Sequence, residues 1–502
     1  MGRRLEAQAS RARQFFAPRG ILSRWHPNYE FRPGQLEMAE AVEAALGEGH
    51  HLIVEAGTGT GKTLAYLVPA ILSGRRVVVS TGTKNLQEQL FFKDIPFLER
   101  HFERPLRACY MKGRNNYACR QKIYDAEKEP VLSGLEEVAD FEIIRAWEKV
   151  TETGDRAEIR QLPDASTAWA KIDARRERCP GQKCPQFERC FITRMQQRAR
   201  ESDIIIVNHH LFFADLAVKD EDFGGIIPDY AAVIFDEAHE IEDVAGQYFG
   251  VSLSNHQLQE LRRDIAALAR RKGFGSQELD RTLEALEESS ERFFALFGEG
   301  EGREAFEERA EFRQAREYQD LVGVLELAAA QIELLKTAPE EAAPLFRRAV
   351  EAGQRLKFLI ESEDRSFVFW VERRGRGCYL QATPIDVSAI LRERLFERLD
   401  TVVLTSATLA VGGGFDYIEG RLGLRGARRL IVSGTFDYAE QALLYVPGHL
   451  PEPSEAAFVP AAAEEILRLL GASRGRAFVL FTSYQQMQAI YDRVSLKLDY
   501  PA

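Results

Sequence analysis

No stretch of the 502-residue chain is apolar for long enough to cross a bilayer as a helix. The longest runs, such as Leu64 to Leu72, reach about half of the ~20 residues that a spanning helix needs. The amino terminus, MGRRLEAQASRARQFF, carries early charge with no apolar run behind it. A secretory leader is therefore not expected, and a cytoplasmic location is. Cysteine is sparse: six thiols in a long, leaderless chain read as reduced or metal-bound, not as a disulfide frame. Low-complexity tracts and internal repeats are also missing. A basic total, the usual mark of a nucleic-acid binder, is absent too, since 66 Lys and Arg face 77 Asp and Glu for a net charge of −11.

That total hides a division. Residues 171–200 hold nine basic side chains against three acidic ones, and residues 276–310 hold four against eleven. Attraction to phosphate acts over about a Debye length, ~8–10 Å, so the local patch matters more than the sum. The acidic run is read as a solvated helix face. Composition is otherwise ordinary for a globular protein, at 45% hydrophobic and 28% charged, which excludes disorder as the main state.

Short uninterrupted apolar runs recur at Leu52–Val54, Val77–Val79, Ile204–Val207, Val233–Phe235 and Val402–Leu404. Continuous β-rich runs without alternation are what a parallel sheet buried on both faces shows. Helical patterns lie between them, so the expected fold is α/β with a doubly wound parallel sheet. Two insertions interrupt it: 109–200, rich in Cys, Arg and Lys, and 257–365, which reads as long polar helices. A further α/β segment begins near Leu443 (LLYVP) and reaches an expected strand, AFVLFTSY, at 477–484.

Strand HLIVE (51–55) runs into AGTGTGKT (56–63) and then an apolar helix. This fits a phosphate loop with Ala56 in place of the first glycine. Small residues let the backbone N–H groups of Gly57, Thr58, Gly59, Thr60 and Gly61 face phosphates at the positive end of the helix. Lys62 would reach the β and γ phosphates of ATP, and the Thr63 hydroxyl would bind Mg²⁺. A second buried strand, AAVIFD, ends in Asp236-Glu237-Ala238-His239. Asp236 would hold Mg²⁺, and Glu237 would orient and deprotonate the attacking water.

Cys119, Cys179, Cys184 and Cys190 are separated by 59, 4 and 5 residues. The last three sit among Pro180, Gly181 and Pro185, whose turns favour gathered thiolates. Spacing alone leaves zinc and an iron–sulfur cluster both open. Cys109 and Cys378 lie in strand-like contexts and read as small core hydrophobes.

Asp-Glu-Ala-His together with Ser406-Ala407-Thr408 resembles the motif pair of superfamily 2 helicases. Arg32-Pro33-Gly34-Gln35 resembles their adenine-reading segment, which makes Arg32 and Gln35 nucleotide-binding candidates; Thr81 to Leu86 resembles the segment that grips a strand's phosphates. The four-cysteine insertion, introduced by Lys112-Gly113-Arg114-Asn115-Asn116-Tyr117-Ala118-Cys119, is similar to that of the DinG/XPD family of iron–sulfur DNA helicases, in its bacterial DinG/YoaA branch. Asn208-His209-His210-Leu211 and Tyr379 to Pro384 match that branch as well, so the likeness covers essentially the whole chain.

The resemblance implies a [4Fe–4S] cluster on Cys119, Cys179, Cys184 and Cys190. It also implies His239 in the catalytic set, and ATP-driven 5′→3′ unwinding of single-stranded and forked DNA in repair or replication. It divides the chain into a first motor domain in three pieces (1–108, 201–256, 366–430), a cluster domain (109–200), a helical arch domain (257–365) and an incomplete second motor domain (431–502). Arg114, Arg175, Arg176, Arg178 and Lys183 are candidate phosphate contacts, with Tyr117, Phe187 and Phe191 as candidate base-stacking platforms. The family's later Gln-x-x-Gly-Arg-x-x-Arg string does not follow Tyr484, from which slow turnover by this chain alone is expected. Two rivals stand beside this reading. One is an RNA helicase of the Asp-Glu-Ala-His type, which does not require the cysteine insertion. The other is a zinc-bearing, nucleotide-gated binding protein.

Overall fold

The computed structural model describes residues 10–25, 29–100, 102, 105–128, 134–163, 166–175, 179–219, 225–298, 300–307, 309–334, 342–434, 436, 438–498 and 500. The chain divides into two units, Met1–Thr435 and Phe436–Ala502. Among the described residues the first holds eleven strands: β1 Leu52–Ala56, β2 Val77–Thr81, β3 Ala108–Tyr110, β4 Ile204–Asn208, β5 Ala232–Asp236, β6 Val251–Ser254, β7 Gly302–Ala305, β8 Phe367–Arg374, β9 Gly377–Pro384, β10 Thr401–Ser406 and β11 Arg428–Val432.

Seven of them form a parallel sheet in the order β11-β1-β10-β5-β2-β4-β3. The expected parallel, doubly wound core is present, and the apolar runs are its central strands. Alternate residues feed two separate cores. Ile53, Val78, Ile205, Val233 and Leu404 pack on one face, and Leu52, Val54, Val77, Ile206, Ile234 and Val403 on the other. Burial on both faces explains why these strands lack alternation.

Register places the functional ends together. Val54 lies opposite Thr405 of β10, and Thr405 in turn lies opposite Asp236 of β5. β10 therefore stands between the phosphate loop that leaves β1 and the acidic pair that leaves β5. This carboxyl edge of an open parallel sheet is where ligands bind in such folds.

The cysteine-bearing insertion has its own small core, including Ile123, Phe141, Ile144, Trp169, Ile172 and Phe191. A buried ion triad ties it to the sheet. Lys112 Nζ lies 2.6 Å from Asp155 Oδ2 and 2.7 Å from Glu88 Oε1, and the Tyr110 hydroxyl donates to Asp155 Oδ2 at 3.0 Å.

The helical insertion extends beyond the expected 257–365. Helices Asn255–Lys272, Gln277–Ala295, Arg316–Glu333 and Ala343–Glu361 share one core with an antiparallel sheet, β6-β9-β8-β7. Leu253, Phe369, Val371, Leu380 and Ala382 supply the sheet's inner face. Residues 251–256 and 367–384, assigned from the sequence to the first motor domain, thus pack with the helices. The parallel sheet, in turn, keeps Val432, past the expected boundary at 430.

In the second unit the expected strands at 443–447 and 477–484 are not formed among the described residues. Leu443, Leu444, Phe478 and Leu480 are 94%, 88%, 96% and 90% exposed. Strand-prone sequence becomes a strand only beside a partner whose backbone accepts and donates. Helices Phe458–Ser473 and Tyr484–Val494 pack around Ala462, Ala463, Leu470, Ile490 and Val494 instead.

Candidate active site

The phosphate loop is held from outside as well as by its glycines. Gly59 and Gly61 both have φ of +82°, in the region that favours glycine. A Cβ on Gly61 would also come within 2.3 Å of Gln35 Nε2. Gln35 is buried and donates to the Gly61 carbonyl at 3.0 Å, and Arg32 Nη1 donates to the Gly59 carbonyl at 2.6 Å. The two residues matched to adenine reading therefore also brace the loop. Thr60 is buried and donates to the Gly57 carbonyl at 2.8 Å, while Thr58 and Gly59 are exposed. Lys62 and Thr63 open the helix Lys62–Ser73, with Gly61 as its cap. Ala56 is buried at the end of β1.

At the end of β5 the Asp236 carboxyl is buried, and that burial pushes its pKa up. The Tyr66 hydroxyl and Lys62 oppose the shift, while Glu237 adds to it. Tyr66, itself fully buried, donates to Asp236 Oδ2 at 2.9 Å, and the Glu237 N–H donates to Oδ1 at 3.0 Å. Glu237 has φ +56° and ψ +46°. A non-glycine residue there is strained by about 1–3 kcal/mol and persists only where its surroundings impose it.

The imposing group is Ser406 at the end of β10. Its hydroxyl donates to Glu237 Oε2 at 3.2 Å, and His239 Nδ1 lies 2.9 Å from the same Oγ. A serine hydroxyl has one proton to give, so with that proton on Glu237 the histidine nitrogen must be the donor. His239, Ser406 and Glu237 form one directed chain joining two strand ends. Glu55, an acid inside an otherwise apolar strand, accepts the Leu409 and Ala410 N–H groups at 2.6 Å and fixes the segment that follows Ser406-Ala407-Thr408. Beneath the site, Asn208 caps the helix His209–Val218. His209 is buried with Nδ1 2.7 Å from Ser80 Oγ, and burial pushes its pKa down to about 4, so the ring is neutral.

None of Cys119, Cys179, Cys184 and Cys190 is in a disulfide. Cys119 is half-buried where the chain enters the helix Arg120–Lys128. Cys184 and Cys190 each close a tight turn, their N–H groups donating to Gly181 and Phe187 carbonyls at 3.0 and 3.2 Å. Burial pushes the Cys119 thiol up, and Cys190 and Cys179 are near enough to push it further. Among the described residues no three His, Cys, Asp or Glu side chains sit close enough to share one metal ion.

The basic and aromatic candidates fare less well. Tyr117 and Phe191 are 2% and 1% exposed core residues, which corrects their reading as stacking platforms. Arg114 Nε donates to the Ala174 carbonyl, and Arg175 pairs with Asp173 at 2.9 Å. Arg176 and Arg178 lie outside the described residues. Tyr66, Glu55 and the Lys112 triad were missed from the sequence. The acid in LIVEA was the one visible signal among them.

A phosphate loop, a paired acid and a serine relay meeting at one edge of a parallel sheet define a nucleotide-driven motor ATPase. Residues 33–149 match the DEAD/DEAH box helicase family. The chain is 36% identical to the ATP-dependent DNA helicase YoaA of Haemophilus influenzae over 95% of its own length and 74% of that relative. It is 34% identical to YoaA of Escherichia coli (97% and 77%) and 30% identical to the ATP-dependent helicase DinG of Mycobacterium tuberculosis (94% and 74%). The chain belongs to the DinG/YoaA family of ATP-dependent DNA helicases.

Proposed function

We propose that this chain couples Mg·ATP hydrolysis to 5′→3′ movement along single-stranded DNA and so opens forked duplexes, in repair or replication. The observation that carries this reading is the meeting of Lys62–Thr63, Asp236–Glu237 and Ser406 at the aligned ends of β1, β5 and β10. Lys62 and the loop amides hold the phosphates. Asp236 and Thr63 fit Mg²⁺, because a carboxylate this buried is short of positive charge until a cation arrives. Bound Mg²⁺ would neutralise charge developing on the phosphate oxygens. Glu237, held by Ser406, accepts the proton of the attacking water. The chain His239–Ser406–Glu237 then links that proton acceptor to the strand whose following loop Glu55 anchors, a route by which nucleotide state reaches the rest of the motor.

Cys119, Cys179, Cys184 and Cys190 are the residues that would hold a [4Fe–4S] cluster. Four thiols in one insertion, with Cys119 near enough to Cys190 and Cys179 to feel them, supply the donor set such a cluster takes. The cluster would cross-link Cys119 to a loop otherwise built from two short turns.

Strand displacement tests the reading. A fork with a 5′ single-stranded tail should be opened slowly in the presence of Mg·ATP, a 3′-tailed fork should not be opened at all, and Lys62→Ala should abolish opening. Equal action on an RNA duplex, or opening from the 3′ tail alone, would overturn it.

A further inference from the structure

Tyr66 lies three residues after Thr63, on the same face of the phosphate-loop helix. Its ring is fully buried, and its hydroxyl donates to Asp236 Oδ2 at 2.9 Å. A carboxylate that gives one lone pair to a metal ion is oriented by what bonds its others. Asp236 has the Glu237 N–H on Oδ1 and Tyr66 on Oδ2.

We propose that Tyr66 is a positioning residue for the cation site, holding Asp236 by its Oδ2 so that the carboxylate stands ready for one divalent cation beside Thr63. The inference rests on the Mg·ATP reading of this site. A purely structural tyrosine, buried and satisfied by whatever polar atom is near, would leave cation affinity untouched when the hydroxyl alone is removed.

The test is binding of a fluorescent ATP analogue to the 502-residue chain, first in EDTA and then with rising Mg²⁺, for the wild type and Tyr66→Phe. Tyr66→Phe keeps the ring and its packing. Its affinity in EDTA should stay within about twofold of wild type, while the Mg²⁺ concentration for half-maximal enhancement rises about tenfold, as expected for losing a hydrogen bond to a charged group. An unchanged Mg²⁺ requirement in Tyr66→Phe would overturn the proposal. So would a loss of binding in EDTA, since the hydroxyl would then be holding the loop and not the cation site. A wild-type chain whose nucleotide binding ignores Mg²⁺ would instead sink the Mg·ATP reading itself.

Discussion

Lys112 supports a quantitative prediction about how the cysteine-bearing insertion is attached. Its ammonium and the Asp155 carboxylate are each 3% exposed, whereas the Glu88 side chain is 36% exposed. Lys112→Met leaves Glu88 free to turn into water but strands the Asp155 charge. Removing one partner of a buried pair typically costs ~3–5 kcal/mol. Asp155 keeps the Tyr110 hydroxyl and the Ala157 N–H, both at 3.0 Å, so the lower end, about 3 kcal/mol, is expected here. Trp147 and Trp169 belong to the insertion's core or pack against it, so urea unfolding followed by tryptophan fluorescence reads the loss. Adding Asp155→Asn to Lys112→Met removes the stranded charge and should recover at least about 1 kcal/mol relative to the sum of the single effects. An unmoved Lys112→Met transition, or effects additive to within about 0.5 kcal/mol, would refute the claim that this triad pins the insertion.

Burial pushes the Asp94 carboxyl up to about 6 and leaves its Oδ2 without a hydrogen-bond partner. The folded state therefore binds the proton more tightly than the unfolded one, and stability from this group is full at low pH and lost as pH rises through about 6. Asp94→Asn should then stabilise the protein by about 1 kcal/mol at pH 7.5, discounting for a partly exposed group, and by nothing at pH 4; calorimetry or urea titration at the two pH values checks it. Ser406→Ala removes the hydroxyl that holds Glu237, and should lower ATP turnover by about tenfold with Mg·ATP affinity retained, as measured by parallel binding and hydrolysis assays. Protein purified without oxygen should carry about four iron and four acid-labile sulfide per chain, and Cys184→Ser should lose both; one zinc and no sulfide would remove the cluster from the account.

The catalytic edge was legible because its chemistry is local in sequence. A glycine-rich turn must follow a strand, and Asp236-Glu237 must end one, so loop and acid each announce themselves. Ser406 was legible through its motif, but its hydrogen bond to Glu237 needed the strand order β1-β10-β5, which no short string contains. Tyr66 hid in an apolar helix, where an aromatic at helical spacing reads as core; half of it is. The boundaries of the helical insertion were misplaced because β6 is remote in sequence from its partner β9, and β7 from its partner β8, so their shared core arises only through antiparallel pairing. The basic patch of 171–200 misled in a similar way. Phe191 within it and Tyr117 before it pack inward, and Arg175 and the earlier Arg114 bond to their own chain. The segments LLYVP and AFVLF show the limit of local propensity: residues suited to strands form none among the described residues and stay largely exposed.

The central claim is that Glu237, poised at the sheet edge by Ser406, takes the proton from water while Lys62, Thr63 and Asp236 hold Mg·ATP. Single-turnover hydrolysis measured beside nucleotide binding tests it most directly. Glu237→Gln should bind Mg·ATP as tightly as the wild type, to within about threefold, yet hydrolyse it at least about a hundredfold more slowly in the presence of single-stranded DNA. Hydrolysis by Glu237→Gln at the wild-type rate would contradict the account.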